Sequence, residues 1–171
     1  MKNVSRWMIA LVVLGLAAVP ASAAEHRLGL GAHYWQTLDE LEDDNFDFEE
    51  EGFSWVGSYQ YVPVGLFKLE LDLEYFPDGF GGVEESAWSP QVYVVVGGSF
   101  YAAVGAGVVY SDAFKDTITD PFYAGRLGFE VAILPRTRLD IHGNYRFNDW
   151  NEIEQADTDT ITLGALLRVT L

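Results

Sequence analysis

Residues 66–76 read Leu-Phe-Lys-Leu-Glu-Leu-Asp-Leu-Glu-Tyr-Phe. Phe67, Leu69, Leu71, Leu73 and Tyr75 share one parity, and Lys68, Glu70, Asp72 and Glu74 share the other. A helix would scatter these residues around its circumference, whereas a strand puts the two sets on opposite faces of a sheet. The same alternation recurs along the chain and predicts strands over residues 27–37, 53–62, 66–76, 91–97, 100–110, 122–133, 138–148 and 158–171. Leu28, Leu30, Ala32 and Tyr34 oppose Gly29, Gly31, His33 and Trp35 in the first. In the last, Ile161, Leu163, Ala165, Leu167, Val169 and Leu171 oppose Thr160, Thr162, Gly164, Arg168 and Thr170. Between strands, long polar segments alternate with short turns at Pro63-Val64-Gly65, Gly97-Gly98-Ser99 and around Pro135. An even number of strands returns both ends of the chain to the short-turn side.

The apolar parity could meet a core, as in a lipocalin-like soluble barrel, or lipid, as in a transmembrane barrel. Three features favour lipid. Aromatic residues of the apolar parity gather at strand ends. Tyr61, Phe67 and Phe100 lie toward the short turns, and Tyr34, Phe53, Trp55, Tyr75, Tyr110, Tyr123 and Phe147 toward the long loops. Such rows match interfacial girdles. The polar parity carries Gly29, Gly31, Gly105, Gly107, Gly128 and Gly164, which a narrow lumen needs beside long side chains and an exposed face does not. Its charges also balance: Lys68, Arg126, Arg138, Arg146 and Arg168 stand against Glu70, Asp72, Glu74, Glu130 and Asp140. Buried charges must be paired, so an enclosed lumen requires this balance. The expected fold is all-β: an eight-stranded antiparallel up-and-down transmembrane β-barrel.

Composition adds an address. Lys2 and Arg6 precede an apolar run from Trp7 to Val19, then Pro20 and Ala21-Ser22-Ala23. This predicts a signal peptide over residues 1–23 and a barrel domain over 24–171. The run is shorter than the roughly 20 residues a helical span needs. There is no cysteine, so no disulfide staples an exported chain. The formal net charge of −16 argues against nucleic acid as a partner.

The whole mature chain resembles the OmpA/OmpX-like eight-stranded outer-membrane proteins. The end of the chain, Thr160-Ile161-Thr162-Leu163-Gly164-Ala165-Leu166-Leu167-Arg168-Val169-Thr170-Leu171, is similar to the terminal strand that the barrel-assembly machinery recognises in that family. Gly164, Leu167, Val169 and Leu171 are its expected recognition residues, although the family usually ends in Phe. The resemblance implies an outer-membrane location with both termini periplasmic, in contact with membrane lipid and lipopolysaccharide.

Candidate chemistry is sparse. The lumen set is Lys68, Glu70, Asp72, Glu74, Arg126, Glu130, Arg138, Asp140, His142, Arg146 and Arg168. It reads either as an ion-paired plug or as a narrow path for ions and small solutes, and the small bore favours the plug. Asp140, His142 and Asn144 share a face, with Ser54 and Ser58 on the same parity, so a Ser-His-Asp arrangement is conceivable. Against it, i and i+2 positions on a strand stand roughly 7 Å apart by rise alone. The His-x-Ser pair of outer-membrane lipid A deacylases is here His142-Gly143-Asn144, without serine. No enzymatic activity is expected. The first long loop holds Asp39, Glu40, Glu42, Asp43, Asp44, Asp47, Glu49, Glu50 and Glu51. Against an EF-hand starting at Asp43, Phe48 falls at the glycine position and Ser54 at the final glutamate. The loop therefore suggests weak gathering of divalent cations or contact with a basic partner. No cofactor is expected.

Overall fold

A computed structural model describes residues 24–37, 52–78, 80, 86–111, 121–147 and 160–171. The predicted signal segment and the acidic residues Asp39–Glu51 lie outside the described residues, as does Asn148. The strands are β1 (Glu25–Thr37), β2 (Phe53–Val64), β3 (Phe67–Phe76), β4 (Ala87–Gly97), β5 (Phe100–Gly107), β6 (Tyr110–Ser111), β7 (Phe122–Leu134), β8 (Thr137–Phe147) and β9 (Thr160–Thr170). Sequential strands pair antiparallel, and β1 pairs with β9 to close the sheet. The two residues of β6 pair with β4 in the register of β5, so β5 and β6 form one stave. The result is a closed barrel of eight staves.

The registers fix its shape. Arg27 pairs with Gln60, then the row passes through Glu70, Tyr93, Gly105, Ala124, Arg146 and Thr160 before returning to β1 at Thr37. One circuit thus climbs ten residues. With a rise of about 3.3 Å per residue and strands about 4.8 Å apart, this stagger tilts the strands by about 40° and gives a backbone radius of about 8 Å. Such a bore holds side chains and little else.

Strand ends differ from the sequence expectation where turn chemistry decides. The β2–β3 turn is Gly65-Leu66, with the register shifting between Tyr61 and Val64, so Leu66 leaves the strand. Pro63, which cannot donate to a ladder, lies within that shift. The β7–β8 turn is Pro135-Arg136, with Arg136 at φ 65° and its Nε donating to the Thr170 carbonyl at 3.0 Å. Gly97 is needed where it stands: its φ is 137°, and a Cβ there would lie 2.3 Å from the Phe100 carbonyl oxygen. β4 begins at Ala87, earlier than expected, and carries Pro90 in its interior. The Pro90 carbonyl still accepts from the Val108 N–H at 3.3 Å, but Pro90 cannot return the bond. The interruption between β5 and β6 falls at this point.

The distribution of side chains is inverted relative to a water-soluble domain. The outer face is a belt of exposed Leu, Val, Ile and aromatic residues, with Leu127 72% and Leu30 68% exposed. A contiguous apolar surface on this scale marks contact with a non-aqueous partner. Aromatic rows border the belt. Toward the long loops, Tyr34 packs on Phe53, Tyr75 on Trp88 and Tyr123 on Phe147. Cross-strand pairing aligns Trp55, Tyr75, Trp88 and Tyr110 in one row. Toward the short turns, Phe100 packs on Phe129, and Tyr59 and Tyr61 flank His26.

Candidate functional site: the barrel lumen

The lumen is lined by the charged parity, and its ion pairs fall into three groups along the bore. At the centre, Glu70 Oε1 accepts from Arg126 Nη1 at 2.6 Å and from Arg168 Nη2 at 2.8 Å. Arg126 also donates to Asp72 at 2.8 Å and to Asn144 at 2.6 Å, and its guanidinium lies 3.9 Å from the Tyr93 ring centroid. Arg168 donates to Asp140 at 2.9 Å and to Ser58 at 2.7 Å. Toward the short turns, Glu130 accepts from Lys68 at 2.8 Å and from Arg27 at 3.2 Å. Toward the long loops, Glu74 accepts from His33, Trp35, Ser54, Gln91 and Arg146.

These groups are almost entirely out of solvent: Lys68, Glu70, Glu74, Arg126, Glu130, Asp140 and Arg168 are all buried. A single buried ion would be very costly, so each must be met by an opposite charge or several hydrogen bonds. Five carboxylates, from Glu70, Asp72, Glu74, Glu130 and Asp140, face the buried cations Arg27, Lys68, Arg126, Arg146 and Arg168. Arg27 thus fills the place in the balance assigned from sequence to Arg138. The Arg138 side chain is 34% exposed and only 3.9 Å from Glu130, because it follows the Pro135-Arg136 turn at the rim.

The long-loop end of the lumen is capped by rings. Trp35, Phe76 and Phe80 pack edge to face, with centroids 4.8 to 6.0 Å apart. Arg146 lies between Trp35 and Phe122, 4.0 and 4.6 Å from their centroids. Cation–π contacts of this kind strengthen when desolvated. The cap and the ion pairs together fill the bore with protein.

Glycines on the polar parity clear space mainly for rings. A Cβ at Gly105 would lie 2.3 Å from the Tyr93 ring, and one at Gly128 would lie 2.2 Å from the Tyr101 ring. A Cβ at Gly164 would lie 2.3 Å from His142 Nε2. Tyr101 uses this space to donate to Asp140 at 2.7 Å. Tyr93, Tyr101, His33, Gln60 and Gln91 are therefore lumen residues that the charge pattern did not single out. Their inward parity was the available signal.

The hydrolase geometry must be corrected on one point. His142 Nδ1 and Asp140 Oδ1 are 2.8 Å apart, although they are i and i+2 on β8. The rise separates the backbone positions, but the two side chains lean toward each other across it. The serines, however, are engaged elsewhere: Ser58 with Arg168 and Ser54 with Glu74. His142 Nε2 meets His33 Nε2 instead. Among the described residues no group of three or more His, Asp or Glu is placed to hold a metal. In the terminal strand, Leu167 and Val169 project into the apolar belt and Gly164 into the lumen. Leu171 donates its N–H to the His26 carbonyl at 2.9 Å.

The fold and lumen together define a transmembrane β-barrel. Known structures agree at the level of fold. A de novo designed transmembrane β-barrel is similar at a TM-score of 0.50 and 13% identity, over 86% of this chain and 95% of that one. The N-terminal β-barrel domain of Pseudomonas aeruginosa OprF is similar at 0.51 and 11% identity, over 86% of this chain and 97% of that one. No protein-family model matches the chain, and no curated protein sequence matches it. The architecture is that of OmpA/OmpX-like eight-stranded barrels.

Proposed function

We propose that the chain is an outer-membrane barrel with a structural and surface-contact role rather than a pore. The observation that supports this reading is the filled lumen: buried ion pairs along the bore and a ring cap at its long-loop end. In this reading residues 1–23 are removed on export. Both ends of the barrel chain lie on the periplasmic side with the short turns. Gly164, Leu167, Val169 and Leu171 present the terminal strand to the assembly machinery. The outer face meets membrane lipid and lipopolysaccharide. The long loops face outward, and the acidic segment Asp39–Glu51 offers a surface to a basic partner while gathering divalent cations weakly.

Planar-bilayer recording tests the role of the lumen. The intact barrel is expected to hold the membrane electrically silent. Arg126→Ala, which removes a guanidinium reaching across the centre, is expected to produce conductance steps. Ohmic conductance from the intact barrel would overturn the plug and favour a narrow path for ions or small solutes. Deleting residues 39–51 tests the surface role separately. It should abolish binding to a basic surface while leaving the barrel folded.

A further inference from the structure

His33 on β1 and His142 on β8 meet at the centre of the lumen, Nε2 to Nε2 at 3.0 Å, with ring planes at 89°. Each ring is held at its other nitrogen by a carboxylate. His33 Nδ1 is 2.9 Å from Glu74 Oε1, and His142 Nδ1 is 2.8 Å from Asp140 Oδ1. The four groups form one line: Glu74, His33, His142, Asp140. Both rings are buried.

The line has three hydrogen bonds and so needs three protons. Two neutral imidazoles bring only two, because each carries one N–H and one bare nitrogen. If both Nδ1 atoms donate to their carboxylates, two lone pairs face each other across the central contact. If one ring turns its proton to the centre, its Nδ1 lone pair faces a carboxylate. An additional proton resolves both cases. Arg146 on Glu74 and Arg168 on Asp140 favour the ionised carboxylates, which places that proton on the imidazoles.

We propose that His33 and His142 form a buried proton-binding site, sharing one proton between their Nε2 atoms and joining the Glu74 and Asp140 groups of the lumen. The charged and titratable groups around the pair come from five strands. They are Glu74 on β3, Tyr101 on β5, Arg126 on β7, Asp140 and Arg146 on β8, and Arg168 on β9. Gly164 makes the contact sterically possible, since a Cβ there would lie 2.3 Å from His142 Nε2 and 2.6 Å from His33 Cδ2.

The test is ¹⁵N NMR of labelled histidine in the refolded barrel in micelles at pH 8. Three protons over the four ring nitrogens of the pair are expected, and a count of two would overturn the proposal.

Discussion

Arg126 gives a direct test of whether the lumen is dry. Its guanidinium donates to Glu70 at 2.6 Å, to Asp72 at 2.8 Å and to Asn144 at 2.6 Å. Replacing it by Met keeps much of the volume and removes the charge. Glu70 retains Arg168 at 2.8 Å, so its loss is partial. Asp72 fares worse: Arg126 is its ion-pair partner, and its Oδ1 is already buried without a hydrogen-bond partner. Breaking one side of a buried pair costs about 3–5 kcal/mol, because the remaining charge stays desolvated. Arg126→Met should therefore lower stability by that amount. Adding Asp72→Asn should recover a substantial part, since it removes the stranded charge. The assay is urea unfolding in lipid vesicles, followed by tryptophan fluorescence and by gel mobility. Trp35, whose Nε1 donates to Glu74 at 2.9 Å, reports from inside the lumen. A cost under about 1 kcal/mol, the range of solvent-exposed pairs, would refute the reasoning and mean that water reaches the centre. Failure of Asp72→Asn to recover any stability would refute the assignment of the cost to Asp72.

Three further outcomes are expected. Leu127→Arg, at a position 72% exposed on the outer face, should cost about 2–4 kcal/mol in a bilayer if it lies near mid-membrane; a cost within about 0.5 kcal/mol, as for an ordinary surface site, would count against lipid there. Gly128→Ala should cost about 1–3 kcal/mol through collision with the Tyr101 ring, and adding Tyr101→Ala should remove that overpacking, both read by urea midpoint. Unboiled refolded protein in SDS should migrate differently from boiled protein, because a closed barrel keeps its backbone bonds internal; identical mobility would contradict closure.

The fold was readable because lipid outside and ions inside impose strict alternation, which survives in residues such as Leu69 to Glu74 without any knowledge of pairing. Parity gives the side of the sheet but not the depth along the bore. That is why Arg27, 3.2 Å from Glu130, enters the buried network without having been singled out, while Arg138, 3.9 Å from the same carboxylate, stays half-exposed at the rim. Pairing partners were also hidden. The contact of His33 with His142 depends on the closing of β1 against β9 and on the space at Gly164, neither of which a local window contains. The start of β4 was hidden too: the strand begins at Ala87 rather than Gln91, because the one bond that Pro90 cannot make is confined to the break between β5 and β6.

The closing seam between β1 and β9 has a kinetic consequence. Arg168 on the last strand reaches Glu70 on β3, Ser58 on β2 and Asp140 on β8, so its neutralising contacts span the sheet. A sheet that has not yet closed would turn its charged face to hydrocarbon, with carboxylates and guanidiniums unmatched. Partly assembled barrels are thus repelled by the membrane core that the finished barrel occupies. Insertion and closure are therefore expected to coincide, with the last strand supplying both the missing edge and the missing positive charge.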